Sequence, residues 1–321
     1  MSKKIGKVSE LRPLDKYARL VAATKEFAPV ATAVAHPCDE SSLRGALEAA
    51  QAGMIIPILV GPKERLRTLA ASLDLDIGRY DVVDAAHSQG AAEKAVELVR
   101  KGDAALLMKG SLHSDELLSA VTKRDTGLRT GRRISHVFVV DAPNCAQTLF
   151  ITDAAVNIAP DLLAKRDIIQ NAIDLYAGLG FGRPKVAILS AVETVTPNIP
   201  STLDAAALCK MADRGQIIGG DLDGPLAFDN AISREAARIK GINSPVAGQA
   251  EILVVPDLEA GNMLAKNLIF LSGADAAGIV LGARVPIILT SRADKVRTRM
   301  ASAAVPMLLA HSQQKKEPVR A

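Results

Sequence analysis

The sequence predicts an α/β fold made of two open, doubly wound, mostly parallel-sheet domains with a cleft between them. Short apolar runs alternate with stretches of helical periodicity along the whole chain, which is typical of successive β-α-β units. Aromatic residues make up only 3% of the chain and tryptophan is absent, so the core has to be aliphatic, as buried parallel sheets usually are. The length of 321 residues exceeds that of one ordinary domain and favours two.

The first part of the chain alternates predicted strands with predicted helices. The strands are apolar runs bounded by turn residues, and the helices carry apolar residues at intervals of three and four. We expect strands at 29–35, 55–60, 80–83 and 104–108, and helices at 41–52, 63–73, 91–100 and 115–123. This alternation predicts a parallel sheet covered by helices.

A second series of strands follows, and helices separate several of them. We expect strands at 137–140, 149–152, 185–189, 216–218, 251–255, 278–281 and 286–289, and helices at 162–177, 202–212, 234–240 and 259–271. A last helix is expected from Arg292 to about Ala310. A polar tail of residues 312–321 ends the chain.

Composition and charge exclude several classes of function. The net charge is only +4 and the basic residues are dispersed, so binding to duplex nucleic acid is not expected. Cys38, Cys145 and Cys209 lie far apart without metal-ligand spacing, which is typical of a reduced, cytoplasmic protein. We expect them to be buried and not nucleophilic.

No membrane or secretion segment is expected. The apolar stretch 268–290 contains Asp275 and Arg284, and residues 1–16 are polar and basic. The glycine-rich stretch 178–182 follows a predicted helix, so it indicates a helix end rather than a dinucleotide loop. No phosphate-binding P-loop, GxSxG motif or paired histidine spacing occurs, so we expect no metal and no bound cofactor.

The apolar run 285–289 leads directly into Thr290-Ser291-Arg292-Ala293-Asp294. A hydroxyl, a guanidinium and a carboxylate therefore follow the carboxyl end of a buried strand, where ligands bind in open α/β sheets. This pattern favours recognition of an anionic substrate. An ordinary helix start explains the same residues equally well.

Two further segments combine glycine with basic residues. Lys109, Gly110, Ser111 and His113 follow the strand at 104–108, and glycine there allows backbone amides to approach an anion. The segment 127–133 places Arg129, Arg132 and Arg133 in a glycine-bounded loop, which can clamp phosphate only if it faces a cleft. Carboxylates also occur in predicted turns at Asp223 and Asp257, although turn chemistry alone would select them.

These segments, in this order, resemble the phosphate acetyltransferase and phosphate butyryltransferase family. The resemblance runs from MKGSLHS (108–114) to LTSRAD (289–294), and its most specific parts are LTSRAD, DGPLAFDNAI (223–232), SPVAG (244–248) and VPDLEAGNM (255–263). KG followed by GLRTG (127–131), together with LTSRAD, is closer to the butyryl branch and to the transferase half of hydratase–transferase fusions. No hydratase-like segment precedes it, so a stand-alone transferase is expected.

The resemblance implies a domain organisation and a set of partners. Residues 1–135 and 293–321 would form domain I, and residues 136–292 would form an inserted domain II. The family implies a homodimer or higher homo-oligomer without a metal or bound cofactor. Coenzyme A, phosphate and an acyl phosphate, all small molecules, would be its substrates, and neither nucleic acid nor a membrane would take part.

The family reaction is acyl-CoA + phosphate = CoA + acyl phosphate, with a thiolate attacking the carbonyl of the acyl phosphate. The resemblance implies that Ser291, Arg292 and Asp294 are catalytic: Arg292 contacts the phosphoryl group and the developing charge, Ser291 donates from its hydroxyl, and Asp294 is the nearest acid that can serve as base. The implied substrate-binding residues are Lys109, Gly110, Ser111, His113, Arg129, Asp223, Asp257, Gly261, Asn262 and Lys266.

The chain departs from the acetyl branch at several positions. Arginines of that branch fall near Ser119 and Phe270 here, and its catalytic carboxylate falls at Thr298 in an ungapped count. Phe270 and GLRTG favour acyl groups longer than acetyl. The departures leave open a catalytically silent acyl-CoA-binding homologue, an acyl-carrier-protein:phosphate acyltransferase and a decarboxylating dehydrogenase, although the aspartate pattern of the last is absent.

Overall fold

The molecule is built on one 11-stranded sheet with helices on both faces. The computed structural model describes residues 16–143, 145–289 and 295–314. In the first part of the chain the elements are α1 (Lys16–Ala23), β1 (Val30–Ala35), α2 (Glu40–Gln51), β2 (Ile55–Gly61), α3 (Lys63–Ser72), β3 (Val82–Asp84), α4 (Ser88–Lys101), β4 (Leu106–Lys109) and α5 (Ser114–Thr122).

The second part of the chain completes the sheet and adds longer helices. Its elements are β5 (Ser135–Asp141), β6 (Leu149–Thr152), α6 (Leu162–Gly178), β7 (Lys185–Leu189), α7 (Pro200–Asp213), β8 (Asp221–Leu226), α8 (Phe228–Ile232), α9 (Arg234–Ile239), β9 (Ile252–Val254), α10 (Leu258–Phe270), β10 (Asp275–Leu281), β11 (Ile287–Leu289) and α11 (Val296–Gln314). Within the described residues, no helix combines the length and the apolar character that crossing a membrane requires.

The strand order is β3-β2-β1-β4-β11-β10-β5-β6-β9-β7-β8. Strands β1 to β4 and β11 are parallel to one another, and so are β6, β9, β7 and β8. Between these two sets, β10 is antiparallel to β11 and β5, and β5 is antiparallel to β6. The mostly parallel α/β class is therefore confirmed, and the two sets of strands run in opposite directions within one sheet. The domain boundaries at 135 and 293 stay a prediction.

The prediction of a strand at 216–218 was wrong. Gly215 and Gly219 have positive φ angles of 72° and 86°, which bend the chain on both sides of this segment. The side-chain amide of Gln170 satisfies both backbone groups of Ile218, so this residue needs no sheet partner. The strand lies instead at Asp221–Leu226, at the edge of the sheet, where Pro225 is tolerated because no further strand requires its missing N–H.

The last helix begins at Val296, four residues later than predicted, and continues to Gln314. Buried ion pairs fix its first turn. Arg297 pairs with Asp141 at 2.8 Å and with Asp275 at 3.0 Å, and Lys16 of α1 also pairs with Asp141, at 3.3 Å. The start of α11 is thereby tied to the ends of β5 and β10, at the centre of the sheet.

Candidate active site

A cleft of about 930 Å³ lies where the two sets of strands meet, and we call it the central cleft. Residues of β5 and β10 contribute to its lining, together with α10, the first turn of α11 and the segment between β4 and α5. The segment before α5 follows the carboxyl end of β4, and Leu289 ends β11 at the same cleft. Ligands in open α/β sheets bind at such a place, outside the carboxyl ends of strands where their order or direction changes.

Four predicted substrate-binding residues come together in the central cleft: Lys109, His113, Asn262 and Lys266. Lys109 ends β4, and its ammonium donates to the carbonyl of Leu112 at 3.1 Å. Asn262 and Lys266 are one helical turn apart on α10, so they share one face of that helix. Asn262 is held by a 3.2 Å bond from its Nδ2 to the carbonyl of Ala154.

His113 is the residue before α5. Its backbone N–H donates to Oε2 of Glu116 at 2.9 Å, which ties down the start of the helix. Ser114 is the first residue of the helix. The helix start thus presents His113 and Ser114 to the cleft.

The glycines and serine among the predicted residues shape the backbone around the cleft. A Cβ on Gly110 would collide with the carbonyl oxygens of Ala35 and His36, so only glycine lets these loops approach. The Ser111 hydroxyl donates to the carbonyl of His36 at 2.8 Å. A Cβ on Gly261 would lie 2.7 Å from Val255, so this glycine allows α10 to pack closely on the end of β9. A direct contact of these three with substrate stays a prediction.

Three predicted residues lie away from the central cleft. Asp223 was expected in a turn but lies within the edge strand β8, and its Oδ1 accepts from the N–H of Gly224 at 2.8 Å. Asp257 caps α10 by accepting from the N–H of Ala260 at 2.8 Å. Arg129 lines a second cleft, which is formed by the loop 129–133, the last turns of α5 and the start of α6.

The predicted catalytic residues Ser291, Arg292 and Asp294 lie outside the described residues. The residues that flank this segment, Leu289 and Lys295, both line the central cleft. Each predicted catalytic residue is thus at most three positions along the chain from a residue of the cleft wall. This sequence proximity is consistent with their expected role.

Sequence reasoning missed several cleft residues because they come from distant segments. His136 and Phe138 alternate along β5, so their side chains face the same side of the sheet. Thr298 of α11, at which an ungapped count places the carboxylate of the acetyl branch, also lines the cleft. The only available signal for His136 was its place at the start of an apolar run.

His136 is a buried, neutral histidine in the wall of the cleft. Its side chain is 2% exposed, and Nδ1 has no hydrogen-bond partner among the described residues. Burial lowers the pKa of the imidazole to about 4, although the nearby Asp153 carboxylate acts in the opposite direction. The imidazole is therefore uncharged at neutral pH.

This lowered pKa predicts a pH-dependent stability. Below the unfolded-state pKa of about 6.5, the unfolded chain binds a proton at His136 that the folded chain does not bind. The free energy of unfolding should therefore fall as the pH falls from 6.5 towards 4, by up to about 1.4 kcal/mol per pH unit from this group. Urea unfolding of His136→Gln should show a shallower fall than wild type over this range.

The matched control is Phe138→Leu, because Phe138 packs against His136 on the same face of β5 and carries no titratable group. This variant should keep the wild-type slope, whatever its absolute stability. Equal slopes for His136→Gln and wild type would mean that the imidazole is protonated in the folded protein.

Of the three cysteines, which were expected to be buried, Cys38 is buried, whereas Cys145 and Cys209 are half-buried. Burial raises the pKa of the Cys38 thiol to about 11 and that of the Cys209 thiol to about 12, so both stay protonated at neutral pH. Within the ranges that the structure describes, no group of three histidine, cysteine or acidic residues is placed to hold a metal ion.

Comparison with known proteins provides an independent test of the family resemblance. The family model "Phosphate acetyl/butaryl transferase" matches residues 87–307. A phosphate acetyltransferase of Rhizobium meliloti is 70% identical over 92% of this chain and 93% of its own length. A phosphate butyryltransferase of Clostridium acetobutylicum is 42% identical over 89% and 95%.

The fold comparison agrees with the sequence comparison. The crystal structure of a branched-chain phosphotransacylase from Enterococcus faecalis V583 superposes with a TM-score of 0.76 at 29% identity, covering 88% of this chain and 99% of that one. The match in sequence spans most of both chains, and the central cleft lies within the matched region. The chain belongs to the phosphate acetyl/butyryl transferase family.

Proposed function

We propose that this protein transfers a short acyl group between phosphate and the thiol of coenzyme A, acyl-CoA + phosphate = CoA + acyl phosphate. The observation that carries the proposal is the central cleft, where Lys109 and Lys266 face an apolar wall in a chain of this family. Leu289 and Lys295, the residues on either side of the Thr290–Asp294 segment, line the same cleft. A cationic end suits phosphate, and an apolar wall suits an acyl chain.

The reaction needs a thiolate, cations and a donor for an oxyanion. The thiolate sulfur attacks the carbonyl carbon of the acyl phosphate, the new C–S bond forms, and the C–O bond to phosphate breaks as phosphate leaves. A thiol with a pKa of about 8.5 is mostly protonated at neutral pH, so a base within hydrogen-bond reach assists the attack. The negative charge that develops on the carbonyl oxygen needs donors placed in advance.

Two lysines of the cleft are proposed to bind the phosphoryl group. Lys266 makes no ion pair with any acidic residue in the described part of the chain, and the ammonium of Lys109 donates to the carbonyls of Gly110 and Leu112. Asp275 also lines the cleft, but its carboxylate pairs with Arg297. Lys109 and Lys266 supply the positive charge that the acetyl branch draws from arginines near Ser119 and Phe270.

The catalytic roles rest on the family resemblance and on the flanking residues. Arg292 holds the phosphoryl group, Ser291 donates to it, and Asp294 takes the thiol proton. Thr298 lies in the cleft wall, at the position where an ungapped count places the carboxylate of the acetyl branch, but its hydroxyl is too weakly basic to accept that proton. Asp294 is therefore the proposed base.

The proposed acyl group is short, and acetyl is among those accepted. The relative that is 70% identical carries the name phosphate acetyltransferase, whereas the butyryltransferase is 42% identical. Phe138, Ile269 and Leu289 give the cleft an apolar wall that can also hold a longer chain. The protein is further proposed to act as a cytoplasmic homodimer, with coenzyme A as a substrate and with no resident metal or cofactor.

The test follows loss of the coenzyme A thiol with acetyl, propionyl and butyryl phosphate as separate substrates. We expect turnover with at least one of them, and comparison of kcat/KM ranks the acyl groups. Binding of acyl-CoA without turnover on any of the three would favour the silent homologue, which the positions of Ser119 and Phe270 suggest. Turnover with acyl-carrier protein in place of coenzyme A would assign the carrier-protein enzyme.

A further inference from the structure

His136 lies in the wall of the central cleft without a hydrogen-bond partner for Nδ1 of its imidazole. The residue is 2% exposed, and Nδ1 is a buried nitrogen that bonds to no described residue. The carboxylate whose charge acts on the ring, that of Asp153, accepts instead from the backbone N–H groups of residues 155–157. Buried polar groups in folded proteins are almost always hydrogen-bonded, so an imidazole left in this state beside a cleft indicates a bond that forms with a ligand.

The position of the imidazole depends on Gly278 of β10. A Cβ on Gly278 would lie 2.9 Å from Nε2 of His136 and 3.1 Å from the carbonyl oxygen of Leu289. Gly278 pairs with Phe138 of β5 on one side and with Leu289 of β11 on the other, and all three line the cleft. Glycine at this position therefore leaves room for the imidazole, and Nε2 lies over β10, next to the end of β11.

His136 lies between the apolar and the cationic parts of the cleft. Phe138 packs edge-on against the imidazole, with ring centroids 4.4 Å apart, and belongs to the apolar wall. Lys109 ends β4, the strand on the far side of β11 from β10. In strand order, Nε2 over β10 thus lies between Phe138 on β5 and Lys109 on β4. An acyl phosphate has the same order of groups, since its carbonyl joins an apolar chain to a phosphoryl group.

The carbonyl oxygen of the acyl group requires a donor. In the proposed function the cations and Ser291 bind the phosphoryl group, which leaves this oxygen in need of one. We infer that the Nε2–H group of His136 donates a hydrogen bond to the carbonyl oxygen of the acyl group and stabilises the charge that develops there during thiolate attack. A donor fixed in advance at a developing oxyanion is among the largest contributions that an enzyme makes to rate. This inference rests on the proposed function for the identity of the substrate.

The imidazole acts as a neutral donor. Because burial lowers the pKa of His136 to about 4, the ring carries a single N–H at neutral pH. A proton on Nδ1 would be a buried donor without an acceptor, whereas a proton on Nε2, next to Gly278, can meet a ligand, so the Nε2 tautomer is favoured. As the C–S bond forms, the π electrons of the carbonyl move to its oxygen, and they return when the C–O bond to phosphate breaks. The proton stays on Nε2 throughout.

The first experiment compares His136→Phe with wild type in steady-state kinetics. Phenylalanine keeps a planar ring but has no N–H, so kcat should fall about 10²–10³-fold, the usual loss for one oxyanion donor. The KM values for acetyl phosphate and coenzyme A should change by less than a few-fold, because the hydrogen bond strengthens in the transition state. His136→Leu, a smaller variant without a donor, should show the same loss. His136→Gln, whose side-chain amide can donate in place of Nε2, should retain more of kcat than either.

The control is His87→Phe, because His87 is exposed at the start of α4 and lines neither the central cleft nor the second one. It should keep wild-type kinetics. A kcat within a few-fold of wild type for His136→Phe or His136→Leu would overturn the inference and leave the proposed function standing. A rise in the KM for acetyl phosphate with unchanged kcat would place the imidazole at the phosphoryl group and would also overturn it. Absence of turnover in wild type itself would contradict the proposed function, and the inference with it.

The second experiment observes the hydrogen bond without turnover. Acetyl-CoA labelled with ¹³C at its carbonyl is bound in buffer free of phosphate, and the carbonyl stretch is measured by infrared difference spectroscopy. Hydrogen bonding lowers this frequency, so it should be lower in wild type and His87→Phe than in His136→Phe and His136→Leu. Calorimetric titration with acetyl-CoA should show affinities within a few-fold of one another. Equal frequencies in wild type and the variants without a donor, or no binding of acetyl-CoA to wild type, would overturn the inference.

Discussion

Replacing Asp294 with asparagine should lower turnover by about 10²–10⁴, the usual span for loss of a general base. Asparagine keeps the size and much of the hydrogen bonding of aspartate, but it cannot accept the thiol proton. Binding of the acyl phosphate should stay nearly intact, because that role belongs to the cations. The residual rate should rise with pH, since solvent ionises a thiol with a pKa of about 8.5 as the pH increases. Steady-state kinetics from pH 6 to 9 would measure both effects.

The control is Asp125→Asn, because Asp125 is an exposed acid in the turn after α5 and lines neither cleft. Unchanged turnover of Asp294→Asn with a lower melting temperature would mean that Asp294 has a structural role and not a catalytic one. Three other acidic residues of the motif segments 223–232 and 255–263, namely Asp223, Asp257 and Glu259, do not line the central cleft. The base would then be sought in Asp275, the acidic residue that lines the cleft within the described ranges.

Replacing Arg292 with lysine should lower turnover by about 10²–10³. Lysine keeps the positive charge but loses the planar pair of donors that holds a phosphoryl group through two parallel hydrogen bonds. If Arg292 also stabilises charge that develops during the reaction, kcat should fall more than the KM for acyl phosphate rises. Measuring both constants for wild type and Arg292→Lys separates these contributions.

Arg238→Lys is a matched control, because Arg238 is an exposed residue of α9 and lines neither cleft. It should retain wild-type kinetics. Activity of Arg292→Lys within a few-fold of wild type would place Arg292 outside the group that touches the reacting atoms. Ser291 and Arg292 would then belong to an ordinary helix start, which is the alternative explanation of this segment.

Much of the fold could be predicted from local sequence pattern. The strands at 149–152 and 185–189 have the predicted bounds, because short apolar runs between turn residues leave little ambiguity. Turn chemistry misled the prediction at β8, where Asp-Gly-Pro indicates a turn but occupies an edge strand. The joining of the two sets of strands depends on the pairing of β5 with β10, which are distant in sequence, and no local pattern indicates it.

The residues of the site that belong to sequence motifs could be predicted. Lys109, His113, Asn262 and Lys266 belong to segments with a recognisable order, and all four line the central cleft. His136 could not be predicted in the same way, because it reaches the cleft through sheet pairing and has no motif of its own. The role of Arg129 also depends on position, since a basic loop becomes a candidate phosphate site only where it faces a cleft.

The most direct test of the proposed reaction measures phosphate release and thiol loss together. Purified protein is mixed with acetyl phosphate, with and without coenzyme A, and both products are followed in the same sample. We predict that phosphate is released only when coenzyme A is present and that one thiol disappears for each phosphate formed. Phosphate release without coenzyme A, or no release from acetyl, propionyl or butyryl phosphate in its presence, would contradict the assignment of this chain as a phosphate acyltransferase.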